Sequence, residues 1–403
     1  YLHSVGAMHL AGQAFDSVFQ DPTLPELPAS RKAELRALVR AAALVHDIGH
    51  APFSHATEFA MPELSELQVG AYAGRPDIYP PARQATHEDY TIKIVTDSSL
   101  TPVLERGLAV PAAAVAALVD PDLPADPDWY TAGGIDFRPL LQQLISSELD
   151  VDRMDYLVRD SHYAGVHYGI FDHSWLMNSL ASHVVEGRAC LALSDRAIYA
   201  FDDFLIARYH MFLNVYFHYR SVAYEEMLKR YFRSCDDDWK VPADVEAYAE
   251  FDDPELTRHL RGSDNEWAQR IVQRREYKLL LERHGSPEAV DHSRILVRLA
   301  EGGVPTIAAA SRGVLSKYFR QRSPRAEAQG KLPLGAKATA APRAATAIYV
   351  LEQPYRGAKV RRARELEEST SLFERYAQHL TMSRVYVPEE FVEEAGALID
   401  DIA

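Results

Sequence analysis

The sequence predicts a mostly α-helical protein that ends in a small α+β unit. Three observations lead there. Apolar residues recur at helical spacing through much of residues 1–235, two runs rich in β-branched residues and Tyr lie near the C-terminus, and a basic, aperiodic segment precedes them.

From Arg31 to Ile48 the apolar positions Leu35, Leu38, Val39, Ala42 and Val45 form one helix face, with Gly49 as a helix stop. Residues 61–85 and 119–134 are rich in Pro, Gly and Ala and read as long loops, which often carry function. Helical patterning resumes from Pro139 to Asp160 and from Ala200 to Phe232, a stretch without Pro or Gly, so the first 235 residues read as almost wholly helical. The Asp236–Asp238 cluster marks a surface loop, and residues 240–320 read as charged amphipathic helices. Residues 321–345 form a basic loop or linker, and Ala347–Leu351 and Ser383–Val387 read as short strands flanking a helix at 360–380. The expected organisation is a helical core over 1–235, then 236–403 as a helical extension with the small α+β unit.

At 403 residues the chain exceeds what one core usually supports. Its 47% hydrophobic and 25% charged residues match an ordinary globular protein, and no apolar run approaches the roughly 20 residues of a membrane span. Cys190 and Cys235 lie far apart without a CxxC spacing, which fits a reducing, cytoplasmic compartment. A net charge of −15 disfavours broad nucleic-acid binding. A small anionic substrate is still compatible, because a metal and a few local cations reverse the field inside one cleft. The chain starts at Tyr1 without Met and reads as a piece whose natural start lies upstream.

The dipeptide His46-Asp47 sits where an apolar helix ends, ahead of a Gly-His-Ala-Pro turn. Burying an imidazole and a carboxylate unpaired would cost several kcal/mol. Either a hydrogen-bonded core pair or a metal relieves that, and the residues alone leave both open. Two further motifs accompany the dipeptide. Tyr1-Leu2-His3-Ser4-Val5-Gly6-Ala7-Met8-His9 precedes the run His46-Asp47-Ile48-Gly49-His50-Ala51-Pro52-Phe53-Ser54-His55, and Asp150-Val151-Asp152-Arg153-Met154-Asp155-Tyr156-Leu157-Val158-Arg159-Asp160 follows it. In that order they resemble the HD-domain deoxynucleoside triphosphate triphosphohydrolases, a group that includes the vertebrate SAM-and-HD-domain enzyme and many bacterial relatives. The resemblance is detailed over about the first 235 residues and diffuse beyond them.

The resemblance implies a helical HD-domain core with His3, His46, Asp47 and Asp152 as metal ligands. Such a set of nitrogens and oxygens suits Mn, Fe, Ni, Co, Zn or Mg. Asp150 and Asp155 are expected to be capping or solvated charges. His50, His55, Glu58 and His87 are implied around the metal, with His55 as proton donor to the leaving 5′-oxygen, Glu58 orienting it, and His50 and His87 on phosphates. Arg153 stands where a relative commonly has Lys and is implied to hold a polyphosphate oxygen. Tyr156 and Asp160 correspond to residues that touch phosphate and sugar and bond the 3′-hydroxyl, and Arg208, Tyr216 and His218 lie on a helix resembling the one that closes the pocket. Tyr216 is expected to act through its ring, so that Tyr216→Phe matters little.

Two departures limit the transfer. The family's phosphate-binding Arg shortly before the first metal histidine falls ahead of Tyr1, and Phe171-Asp172 is followed by His173, Ser174 and Trp175 where the vertebrate enzyme has an Arg for an activating nucleotide. The function expected is hydrolysis of deoxynucleoside triphosphates to deoxynucleoside and triphosphate by a homo-oligomer. The alternatives are an HD-type nucleotidase or phosphodiesterase on another nucleotide, and a non-catalytic nucleotide sensor.

Overall fold

The computed structural model describes residues 1–234, 240–285, 291–313, 347–353, 361–370, 372 and 380–400. Its helical core opens with α1 (Leu2–Val18) and α2 (Ala29–Val45), which pack on each other. A long connection that includes the short helix α3 (Leu64–Leu67) and three 3-10 turns leads to α4 (His87–Thr96), α5 (Thr101–Leu108) and α6 (Ala112–Val119). Then come α7 (Arg138–Ile145), α8 (Val151–Ala164), α9 (His173–Asn178), α10 (Ile198–Met211) and α11 (Tyr219–Ser234). The apolar stripe read on α2 is buried as expected, and Leu35 and Leu38 share one core with Phe15, Tyr90, Ile92, Phe137, Phe201 and Phe204. Burying such large side chains is the main favourable term holding these helices together.

The helix expected over Pro139–Asp160 is broken at 146–150. There the Asp150 side chain accepts Ser147 N at 2.7 Å and Arg153 N at 2.8 Å, so it caps α8 and prevents continuation from α7. The stretch 200–232 is likewise divided, by a π-helical turn at Phe212–Tyr216 and a break before Tyr219.

Beside its helices the core carries a small sheet that the sequence reading did not place. A two-strand ribbon of β1 (Thr131–Ala132) and β2 (Ile135–Asp136) joins a hairpin of β3 (Leu180–Val185) and β4 (Arg188–Ser194). Glu186 and Gly187, with φ of 51° and 76°, form its two-residue turn, the geometry that matches strand twist. Gln143 of α7 stitches this sheet to the helices by accepting Leu191 N at 2.7 Å and donating to Ala347 O at 2.9 Å.

After α12 (Val245–Ala249), α13 (Asp253–Gly262) and α14 (Glu266–Val272), the stretch expected to be all helical contains β5 (Lys278–Gly285), α15 (Ser293–Glu301) and β6 (Ile307–Gly313). The strand read at Ala347–Leu351 is present as β7 (Tyr349–Glu352). It pairs with β4 and with β8 (Arg362–Glu365), so it belongs to the sheet of the first 235 residues and crosses the expected boundary. A strand therefore replaces the first part of the helix expected at 360–380. The run Ser383–Val387 lies in β9 (Leu380–Val387), the centre of a three-stranded sheet in the order β5-β9-β6. The period-2 alternation of β9 turns Val385 and Val387 toward α15 and α16 (Val392–Ile399), and Tyr386 toward α11. The Asp236–Asp238 cluster and the basic 321–345 segment lie outside the described residues. Among the described residues no single helix is long and apolar enough to cross a membrane.

Candidate metal centre and phosphate pocket

Three helix ends meet at one point. His3 lies in the first turn of α1, His46 caps the C-terminus of α2 with Asp47 next, and Asp152 lies in the first turn of α8. His3 Nε2 is 3.1 Å from Asp152 Oδ1 and 3.5 Å from Asp47 Oδ2, and His46 Nε2 is 3.4 Å from Asp47 Oδ2 and 3.5 Å from Asp152 Oδ1. Ligands about 2.0–2.2 Å from one ion stand roughly 3.0–3.5 Å apart, so the four atoms fit a shared divalent metal. The buried Nε2 of His46 makes no hydrogen bond, as expected of a lone pair kept for an ion. The four residues named from the sequence are thus brought together.

The far nitrogens are fixed. His46 Nδ1–H donates to Ala43 O at 2.9 Å and His3 Nδ1–H to Asp155 Oδ2 at 2.8 Å, which leaves both Nε2 atoms toward the ion. Asp155, expected to be a capping or solvated charge, is 8% exposed and also receives Arg159 at 2.7 and 2.8 Å. Gly6, one turn after His3, makes room: a side chain there would overlap Asp155 and Arg159. No spacing rule picks out Asp155. The available signal was chemical, since a ligating His needs an acceptor for its other ring nitrogen.

Gly49 is also reassigned. The helix already ends at Val45, before Gly49; a Cβ at Gly49 would strike the His87 carbonyl, and the lack of one lets the HD turn lie against α4. Thr91 clamps the contact, accepting Gly49 N and donating to His46 O, both at 3.0 Å.

The charge balance calls for a cation. Burial disfavours the His3 imidazolium, but Asp152, Asp155 and Asp47 outweigh it and hold its pKa up at about 11. Burial likewise works against the Asp47 and Asp152 carboxylates. The facing imidazoles of His3 and His50 for Asp47, and of His3 and His46 for Asp152, still keep both well below the usual range.

Beside this tetrad, His50, His55 and His87 form a second group, with ring centroids 4.1–5.1 Å apart. Glu58 ties it together, with Oε1 2.6 Å from His87 Nδ1 and Oε2 3.3 Å from His55 Nδ1. His55 and then His87 draw the Glu58 pKa far down, and Glu58 in turn raises that of His87 against the effect of burial. His50 Nε2 lies 3.6 Å from Asp47 Oδ1, so Asp47 borders both groups. His50 and His87 stack nearly parallel, at 8°, and lone pairs in parallel planes 4.1 Å apart do not converge on one ion at about 2 Å. The group suits the several oxygens of a phosphate instead.

On α8, Tyr156 and Asp160 follow Asp152 along one helix face, and the Tyr216 hydroxyl donates to Asp160 Oδ2 at 2.8 Å. The phenol therefore has a partner of its own, beside whatever the ring does. Arg153 and Arg208 are both buried and paired: Arg153 with Asp150, and Arg208 Nη1 with Glu148 Oε2 at 3.0 Å. Asp150 is 1% exposed, so it is a cap and a buried ion-pair partner, not a solvated charge. His218 is exposed at the break before α11.

Residues 1–160 match the HD domain family and residues 171–296 the HD associated region. The chain thus carries an HD domain followed by the region associated with it, and it resembles deoxynucleoside triphosphate triphosphohydrolases. It is 30% identical to the uncharacterized protein YwfO of Bacillus subtilis, over 54% of this chain and 40% of that one. It is 27% identical to the deoxynucleoside triphosphate triphosphohydrolase SAMHD1 homolog of Dictyostelium discoideum, over 62% of this chain and 42% of that one. The chain thus spans less than half the length of these curated relatives. A hypothetical protein of Aquifex aeolicus shares the fold with a TM-score of 0.66 at 21% identity, covering 99% of this chain and 86% of that one.

Proposed function

We propose that the protein hydrolyses deoxynucleoside triphosphates to deoxynucleoside and inorganic triphosphate. The observation that carries this is the placement of the His50–His55–His87–Glu58 group beside Asp47 of the tetrad and of the Tyr216–Asp160 pair on the helix that carries Asp152. A phosphate chain and a sugar would each find a partner while the scissile bond lies between. His3, His46, Asp47 and Asp152 would hold a divalent metal, which supplies charge to the phosphoryl group and activates water.

His50 and His87 hold phosphate oxygens, and Glu58 favours the cationic form of His87 for this. His55 gives its Nε2 proton to the leaving 5′-oxygen while Glu58 fixes Nδ1. Asp160 accepts the 3′-hydroxyl. Arg153 and Arg208 are already neutralised by buried carboxylates, so their part is to shape the pocket floor as well as to face the phosphates. Incubation with each dNTP and Mn²⁺ or Mg²⁺, with products separated by chromatography, tests the reading: free triphosphate supports it, whereas monophosphate or no product sinks it.

A further inference from the structure

The turn that carries His55 is held in a conformation its own residues disfavour. Phe53 and Ser54 stand consecutively in the left-handed region, with φ of 60° and 56°, and neither is Gly. Inside the turn, Ser54 N donates to Ala51 O at 2.7 Å and Ala56 N to Phe53 O at 3.2 Å. The Phe53 amide itself reaches 200 residues along the chain, to Asp253 Oδ1 at 2.8 Å. Asp253 opens α13 but does not cap it; that is done by Asp252, which accepts Glu255 N at 2.9 Å.

The rest of the turn is seated on the same platform. Ala56 packs among Leu228 and Tyr231 of α11 and Leu256 and Leu260 of α13, and Phe59 meets Phe232 edge-on at 5.5 Å. Next to the joint lies a cavity lined by Ala51, Pro52, Asp252 and Asp253, so close packing does not hold this side of the turn.

We infer that Asp253 is a positioning residue, which holds the strained 53–54 turn by accepting the Phe53 amide and so aims His55 at the leaving oxygen. This rests on the reading of His55 as the acid. It makes the HD associated region part of the reacting unit.

In the full chain, Asp253→Ala lowers kcat for dGTP on the order of 10–100-fold, the scale of a small misplacement. KM and bound metal stay at wild-type levels. Asp253→Asn keeps a carbonyl acceptor and most of the rate. Adding Phe53→Gly to Asp253→Ala recovers at least a few-fold of the loss, because Gly adopts positive φ freely. Amide hydrogen exchange quickens over residues 52–60 in Asp253→Ala. Wild-type kcat and exchange in Asp253→Ala, or no recovery on adding Phe53→Gly, overturns the inference. A wild-type protein inactive on every dNTP removes the proposed reaction, and exchange over 52–60 that stays slow in Asp253→Ala then overturns the positioning role by itself.

Discussion

Two sets of histidines face each other across Asp47, and they are held by different means. In the tetrad, His3 and His46 stand on helix ends with side chains 23% and 10% exposed, and the far nitrogen of each is bonded to a group that cannot move independently, Asp155 or the Ala43 carbonyl. Across from it, His55 is 70% exposed on a left-handed turn and shares Glu58 with His87. An ion demands ligands fixed before it arrives, since any reorganisation reduces affinity. A proton donor must approach an oxygen that is present only when substrate is bound, so a surface turn steadied from outside suits it. The two sets should therefore fail differently when altered.

The largest effect is expected at the tetrad. Asp152→Ala removes a carboxylate from a site whose charge already calls for a cation, so elemental analysis should find the metal lost and turnover should fall to background. Asp150→Ala, two residues away, should keep the metal and instead lower stability by about 3–5 kcal/mol in urea unfolding, because it strands Arg153 in the interior. A stable, metal-free Asp150→Ala protein would reverse the assignment of the two carboxylates.

His55→Ala, on the other side, should lower kcat by roughly 10²-fold with metal content intact, the scale of a lost general acid. Loss of metal in that variant would erase the distinction between the two sets. Asp155→Asn sharpens it from the opposite direction. The amide is a poorer acceptor for His3 Nδ1–H, so metal affinity measured by chelator competition should drop about 10–100-fold, while kcat at saturating metal stays within a few-fold.

What the sequence made legible follows the same division. His3, His46, Asp47 and Asp152 stand in contiguous motifs at helix ends, and local pattern plus family resemblance named the four that the structure brings together. Asp155 escaped because its role exists only where α1 and α8 meet, through a gap left by Gly6. The β3–β4 hairpin escaped because its turn is Glu186-Gly187, without the Asn or Asp that usually marks such turns. The strained turn at Phe53-Ser54 contains no Gly, and what stabilises it lies 200 residues away. The π-turn at Phe212–Tyr216 leaves helical periodicity almost unchanged, yet it is where Tyr216 is aimed at Asp160.

That last contact yields the smallest expected effect. If the Tyr216 ring packs against C2′, a ribonucleotide sets its extra hydroxyl against an aromatic face, at about 1–3 kcal/mol or ten- to hundredfold in kcat/KM. Tyr216→Ala should narrow that preference. Tyr216→Phe keeps the ring and removes only the 2.8 Å hydrogen bond to Asp160 Oδ2. A carboxylate released from one donor gains rotational freedom and must be ordered again when it accepts the 3′-hydroxyl. The lost bond is partly exposed and replaceable by water, so the cost is about 1 kcal/mol, seen as a roughly fivefold higher KM for dGTP with kcat and the dGTP-to-GTP ratio near wild type. A Tyr216→Phe enzyme with unchanged KM would mean that Asp160 needs no help from the phenol. A collapse of the sugar preference in the same variant would mean that the hydroxyl, and not the ring, reads the 2′ position.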